Sequence, residues 1–152
     1  FWWFCDDYVE LVKDRAYGAH GDDGAASARA ALRVALHAVH CLFAPFLPFV
    51  TEEVWSWWQD GSVHTQAWPT ATALGGDAAL ADTIGDVLAA VRRTKTEAKV
   101  SQKAAVARLN VTATAAQAEH LQVAGQDLRD AGSIADLVVS PGEALACDVS
   151  LG

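Results

Sequence analysis

The spacing of apolar residues changes once along this chain, and that change orders everything else. Up to about residue 100 apolar residues recur at steps of three and four, the period of a helix with one buried face; from residue 107 they alternate, the period of a half-buried strand. Phe1, Phe4, Cys5, Tyr8, Val9 and Val12 mark a first helix over 1–17, with Asp6, Asp7, Glu10 and Asp14 on its other side. The glycines and aspartates of 18–24 predict a loop. A second helix follows over 25–44, with Leu32, Leu36, Val39 and Phe43 as its core stripe, and Pro45 ends it. Thr51-Glu52-Glu53 has the pattern of a capped start, with acids on the positive end of a short third helix reaching Trp58. Residues 59–76 predict a loop. Asp77 then caps a fourth helix running to Val100, with Leu80, Ile84, Val87, Leu88 and Val91 as its core face.

The alternating stretch 107–112 predicts a strand, 114–130 a helix stopped at Gly132, 134–139 a second strand and 145–151 a third, after a Pro141-Gly142 turn. The expected fold class is mainly α: a helical bundle over 1–76, then a linking helix and a small α+β unit of β-α-β-β order over 77–152.

Composition narrows the functions open to such a chain. With 52% hydrophobic and 20% charged residues it is not a disordered chain. No apolar run approaches the roughly 18 residues of a membrane span, and no signal peptide is visible. Three scattered cysteines without a C-x-x-C suit a reducing cytoplasm. There is no Met, and the first residues are Phe1-Trp2-Trp3-Phe4, so the chain is expected to be a piece of a longer protein whose first helix is continued upstream.

The net charge of −8 opposes nucleic acid as a whole but is unevenly spread. Residues 92–108 carry Arg92, Arg93, Lys95, Lys99, Lys103 and Arg108 against Glu97 alone, a net of +5 that leaves −13 on the remainder. On a continuing helix Arg92, Lys95, Lys99 and Lys103 make one stripe, which suits phosphates and equally suits a solvated helix end. Lys13 and Arg129 lie outside it.

Catalytic signatures are missing: the chain has no glycine-rich phosphate loop and no G-x-S-x-G. His37, His40 and Cys41 fall within one helical turn, but zinc needs a fourth ligand, and they are read as ordinary helix residues with no metal. Glu52-Glu53 are read as helix-end charges, His64 as a packing or hydrogen-bonding residue, and most of the six tryptophans as core.

Four segments carry a resemblance. Phe4-Cys5-Asp6-Asp7-Tyr8-Val9-Glu10 resembles the helix that follows the catalytic core in valyl-tRNA synthetases. The stretch from Leu42 through Pro45-Phe46-Leu47-Pro48 to Thr51-Glu52-Glu53-Val54-Trp55 is similar to a signature of the large class I synthetases for Val, Ile and Leu. Ser62-Val63-His64 with Ala67-Trp68-Pro69 resembles the loop after it, and Val91 to Ser101 a helix-to-strand junction beyond the bundle. The Cys-Asp-x-Tyr-x-Glu form favours the valyl over the isoleucyl enzyme.

The resemblance implies a cytoplasmic enzyme that joins valine to its tRNA with ATP and magnesium. It makes this piece part of the anticodon-binding region, with tRNA and the rest of the synthetase as partners and a monomer as its state. Neither ATP-site signature, of the H-I-G-H and K-M-S-K-S type, has a counterpart here. Catalysis and cofactors are therefore expected elsewhere, as are the editing domain, the first bundle helix with its anticodon contacts, and any coiled-coil arm. The competing readings are a protein-interaction helical domain without a nucleic-acid role and the same region of an isoleucyl-tRNA synthetase.

Overall fold

The computed structural model describes residues 2–70 and 75–152. A π-helical turn, Phe4–Tyr8, leads without a break into α1 (Val9–Ala16). Then follow α2 (Gly21–Phe43), α3 (Pro48–Ser56), a 3-10 turn at Val63–Thr65 and α4 (Ala78–Glu97). The rest is β1 (Val106–Ala113), α5 (Ala115–Gly132), β2 (Ile134–Pro141) and β3 (Ala146–Leu151). The mainly α architecture with a small terminal α+β unit is as the two periodicities require. The part of the predicted 59–76 loop at 71–74 lies outside the described residues.

Two helix starts fall earlier than the sequence suggests. Gly21–Gly24 are helical, with Asp22 and Asp23 in the first turn, where the positive helix end favours acids. Gly24 lies against the Arg15 side chain, where α2 packs on α1; a Cβ there would stand 3.4 Å from Arg15 Cγ, an ordinary contact. Arg29 Nε donates to the Ala16 carbonyl at 2.8 Å, satisfying the end of α1. The third helix begins at Pro48, which suits a first helical position because its missing N–H would have no partner there. Thr51 is therefore not the cap. It is buried inside α3 and its hydroxyl donates to the Leu47 carbonyl at 2.8 Å. Glu52 accepts from Ser62 Oγ at 2.9 Å and Val63 N at 3.0 Å, fixing the following loop.

The sheet has the order β2-β1-β3, with β1 parallel to β2 and antiparallel to β3. Leu109, Val111 and Ala113 point into the core, as alternation predicts. Continued upstream it would turn Ala107 inward, but an irregularity in the β1–β3 register between Val106 and Arg108 shifts the phase and buries Val106. The other face is polar, with Arg108 Nε on Asp136 at 2.8 Å and Asn110 Nδ2 on Asp148 at 3.3 Å. Thr114 and Gln117 form a reciprocal capping box at the start of α5. At its other end Ser133, not Gly132, takes the left-handed conformation (φ 53°). Gly132 serves close packing instead: a Cβ there would meet Ile134 Cδ1 at 2.7 Å.

The main core joins Ile84, Val87, Leu88 and Val91 of α4 to Leu121 and Leu128 of α5, to the inner face of β1, and to Leu11 of α1. α1 thus reaches across the predicted 76/77 boundary. Arg15–Asp127 (2.7 Å) and His20–Asp130 (2.6 Å) tie it and the turn after it to α5. A second cluster gathers Cys41, Ala44, Trp55 and Val63, with Trp58 against it. His37 and His40 pack tilted or edge-on against these tryptophans, with centroids 5.5 to 6.1 Å apart. The predicted α2 stripe is not part of either core: Leu32, Val39 and Phe43 are half-buried and Leu36 is exposed. The buried face of α2 is instead Ala25, Ala28, His40 and Cys41.

Candidate nucleic-acid interface

The positive segment begins on α4 and ends in β1, and the helix between them does not continue. Lys99 N donates to Thr96 O and Val100 N to Lys95 O, both at 3.0 Å, which is the paired closure of a Schellman turn. Lys99 occupies its left-handed position with φ 56°, a place usually given to glycine. The predicted stripe of Arg92, Lys95, Lys99 and Lys103 is therefore broken at Ala98, and its members diverge.

Lys95 is 1% exposed. Its Nζ donates to the Gln102 carbonyl at 2.9 Å and the Gly132 carbonyl at 2.8 Å, joining the end of α4 to the approach to β1 and to the last residue of α5. Among the described residues no carboxylate pairs with it, and burial pushes its pKa below the ordinary lysine value. This corrects its placing as a surface cation: it is an internal tie. Arg92 is bound by Asp7, and its Nη2 donates to the Asp6 carbonyl at 2.6 Å. Arg108 is held by Asp136 across the outer face of the sheet. Arg93, Lys99 and Lys103 are exposed, and none of the three forms an ion pair among the described residues.

An open cleft of about 570 Å³ lies between α1, α4 and the α5–β2 corner, with Lys95 in its wall and Lys103 and Arg92 beside it. Lys13 lines it too, 3.4 Å from Glu10. Sequence reasoning set Lys13 outside the positive segment; the packing of α1 beside α5, with Asp7 on Arg92 of α4, brings it there, and no sequence signal announces that. Arg129 is structural, with Nη1 on the Ala135 carbonyl at 2.9 Å. Asp6, Glu10, Asp14 and Asp130 share the cleft, so it is of mixed charge, and the uncancelled cations stand at the α4–β1 junction. Among the described residues no group of three or more His, Cys, Asp or Glu is placed to hold a metal.

Compared with known proteins, residues 1–111 match the anticodon-binding domain of tRNA ligase, a span from the first helical turn into β1. The chain belongs to that family. Its similarity to individual proteins is narrower. It is 45% identical to the valine–tRNA ligase of Salinispora tropica over 172 aligned positions, covering all of this chain and 20% of that protein. It is 54% identical to that of Thermobifida fusca over 143 positions, covering 91% and 16%. For the valine–tRNA ligase of Cutibacterium acnes the figures are 45% over 157 positions, 100% and 18%. The chain thus spans about one-fifth of the length of the curated relatives it matches.

Proposed function

We propose that this chain is the tRNA-holding region of a valine–tRNA ligase and takes no part in the chemistry of aminoacylation. Its membership of the anticodon-binding family carries this reading, and the excess of positive charge at the α4–β1 junction agrees with it. Arg93, Lys99 and Lys103 contact tRNA phosphates. Arg92 and Arg108 add less, because each already faces a carboxylate. Phosphate contacts of this kind hold the RNA in register without reading its bases. Valine, ATP and magnesium are handled by other parts of the longer polypeptide, and no residue of this chain is assigned to them. The ligase works in the cytoplasm as a monomer.

The test is a salt titration of tRNA binding by the full-length ligase carrying Arg93→Ala, Lys99→Ala and Lys103→Ala, singly and together. Each lost contact should flatten the slope of log affinity against log salt by about 0.7–0.9 and weaken cognate and non-cognate tRNA alike. Arg33→Ala, on α2, is the control. A triple variant that binds tRNA as the wild type does across the titration would overturn the assignment.

A further inference from the structure

At the corner between α2 and α3, Leu42-Phe43-Ala44-Pro45-Phe46-Leu47-Pro48-Phe49-Val50 runs nine residues without a polar side chain. Buried apolar residues would suit such a run, yet Phe49 is 89% and Phe46 79% exposed, and Leu42, Leu47 and Val50 are about half exposed. Val34 and Leu36 extend exposed apolar surface back along α2. A single exposed leucine means nothing, but a contiguous patch of this kind marks a contact surface.

The corner is also rigid. Phe46 N and Leu47 N both donate to the Phe43 carbonyl, at 2.9 and 2.8 Å, and Thr51 N to the Leu47 carbonyl. From the loop, His64 Nε2 donates to the Pro48 carbonyl at 3.2 Å. The surface is preformed and needs no ordering to bind.

Charge selects the occupant. No Lys or Arg lies between Arg33 and Arg92, and Glu52 and Glu53 follow the patch directly. Neither a phosphate backbone nor an anionic membrane would be drawn there. The aligned relatives are about five times as long as this chain, so each carries ample folded surface beyond the aligned part.

We propose that the face formed by Leu42, Phe46, Leu47, Phe49 and Val50 docks against an apolar face elsewhere in the same longer polypeptide, making this corner the seat of the region on the ligase body. The inference rests on the reading that the chain works within a full-length ligase, but not on its tRNA contacts, which the salt titration tests separately.

Hydroxyl-radical footprinting of the wild-type full-length ligase measures it directly. The expected result is loss of oxidation at Phe46 and Phe49, independent of protein concentration and of added tRNA. The paired variant Phe46→Asp with Phe49→Asp should lower the unfolding midpoint of the full-length protein and open new proteolytic cuts between this region and the remainder. Oxidation of both side chains at the rate of exposed phenylalanine would overturn the proposal. So would protection lost on dilution, which would make a second copy the occupant, and protection gained only with tRNA.

Discussion

Around Leu109 and Val91 the chain closes its own interior with helices, a sheet and a buried lysine. Around Trp55 it gathers a small apolar cluster of Cys41, Ala44, Trp55 and Val63 with buried His40 and Thr51 beside it, and turns phenylalanines outward a few residues away. Both regions are rich in apolar residues and both are rigidly hydrogen-bonded, so neither composition nor local order separates them. What differs is how many faces each element can cover. α4 is flanked by α5 and β3, with Leu11 of α1 joining its core face, whereas among the described elements the second half of α2 packs on α3 and one short turn. A helix hairpin has too little of its own surface to enclose a core, so its apolar excess is left for something else to cover.

The contrast should break most visibly by truncation. Leu109→Ala is expected to cost about 3 kcal/mol of stability, the transfer term plus a cavity the packed surroundings cannot refill, while Phe49→Ala in the same 152-residue chain should change it by no more than about 0.5 kcal/mol. Chemical denaturation of both variants checks the pair. Equal losses would mean that Phe49 is buried within the chain itself.

Next in size is Lys95→Met, expected to cost about 2 kcal/mol because the Gln102 and Gly132 carbonyls lose their donor inside the closed region. The loss should be the same with and without tRNA, and the salt slope of binding should not move. That outcome separates an internal tie from a phosphate contact.

The smallest effect concerns Asp77, which accepts from Ala79 N at 2.9 Å and from His120 Nε2 at 2.9 Å, clamping the start of α4 to α5. The His120 hydrogen bond first, and the Ala79 N–H second, hold its carboxyl below the ordinary aspartate range. A depressed carboxyl stabilises the fold above its unfolded value of about 3.9 and ceases to do so as pH falls through the lower folded value. The difference in melting temperature between wild type and Asp77→Asn should therefore be full at neutral pH and vanish in strong acid. A pH-independent gap would assign the effect to geometry rather than charge.

Much of the closed region is written in the sequence. Ile84, Val87, Leu88 and Val91 fall at helical spacing and are all buried, and Asp77 announces the cap it forms. The same reasoning on Leu32, Leu36, Val39 and Phe43 names a face correctly as apolar and misjudges its fate, because periodicity shows which side wants cover and not whether cover is present. Lys95 failed for a different reason. A lysine's charge argues for the surface, and only the two carbonyls that converge on it from distant segments make burial tolerable. Lys99 ends a helix that its neighbours' spacing would have continued, since the chain can place a non-glycine residue in the left-handed position when the turn is otherwise satisfied.

The pairing of Asp7 with Arg92 joins residues 85 positions apart, and during synthesis that separation is a delay. At roughly 5–20 residues per second Asp7 waits about 4 to 17 s for the helix that carries its partner, and α5, against which α1 packs, comes later still, so Leu11 and Val12 lack their final cover meanwhile. α2 emerges directly after α1 and can shield part of that surface at once. On the ribosome, the α1–α2 hairpin is thus a provisional shelter, and the final core is assembled only when the last third of the chain arrives.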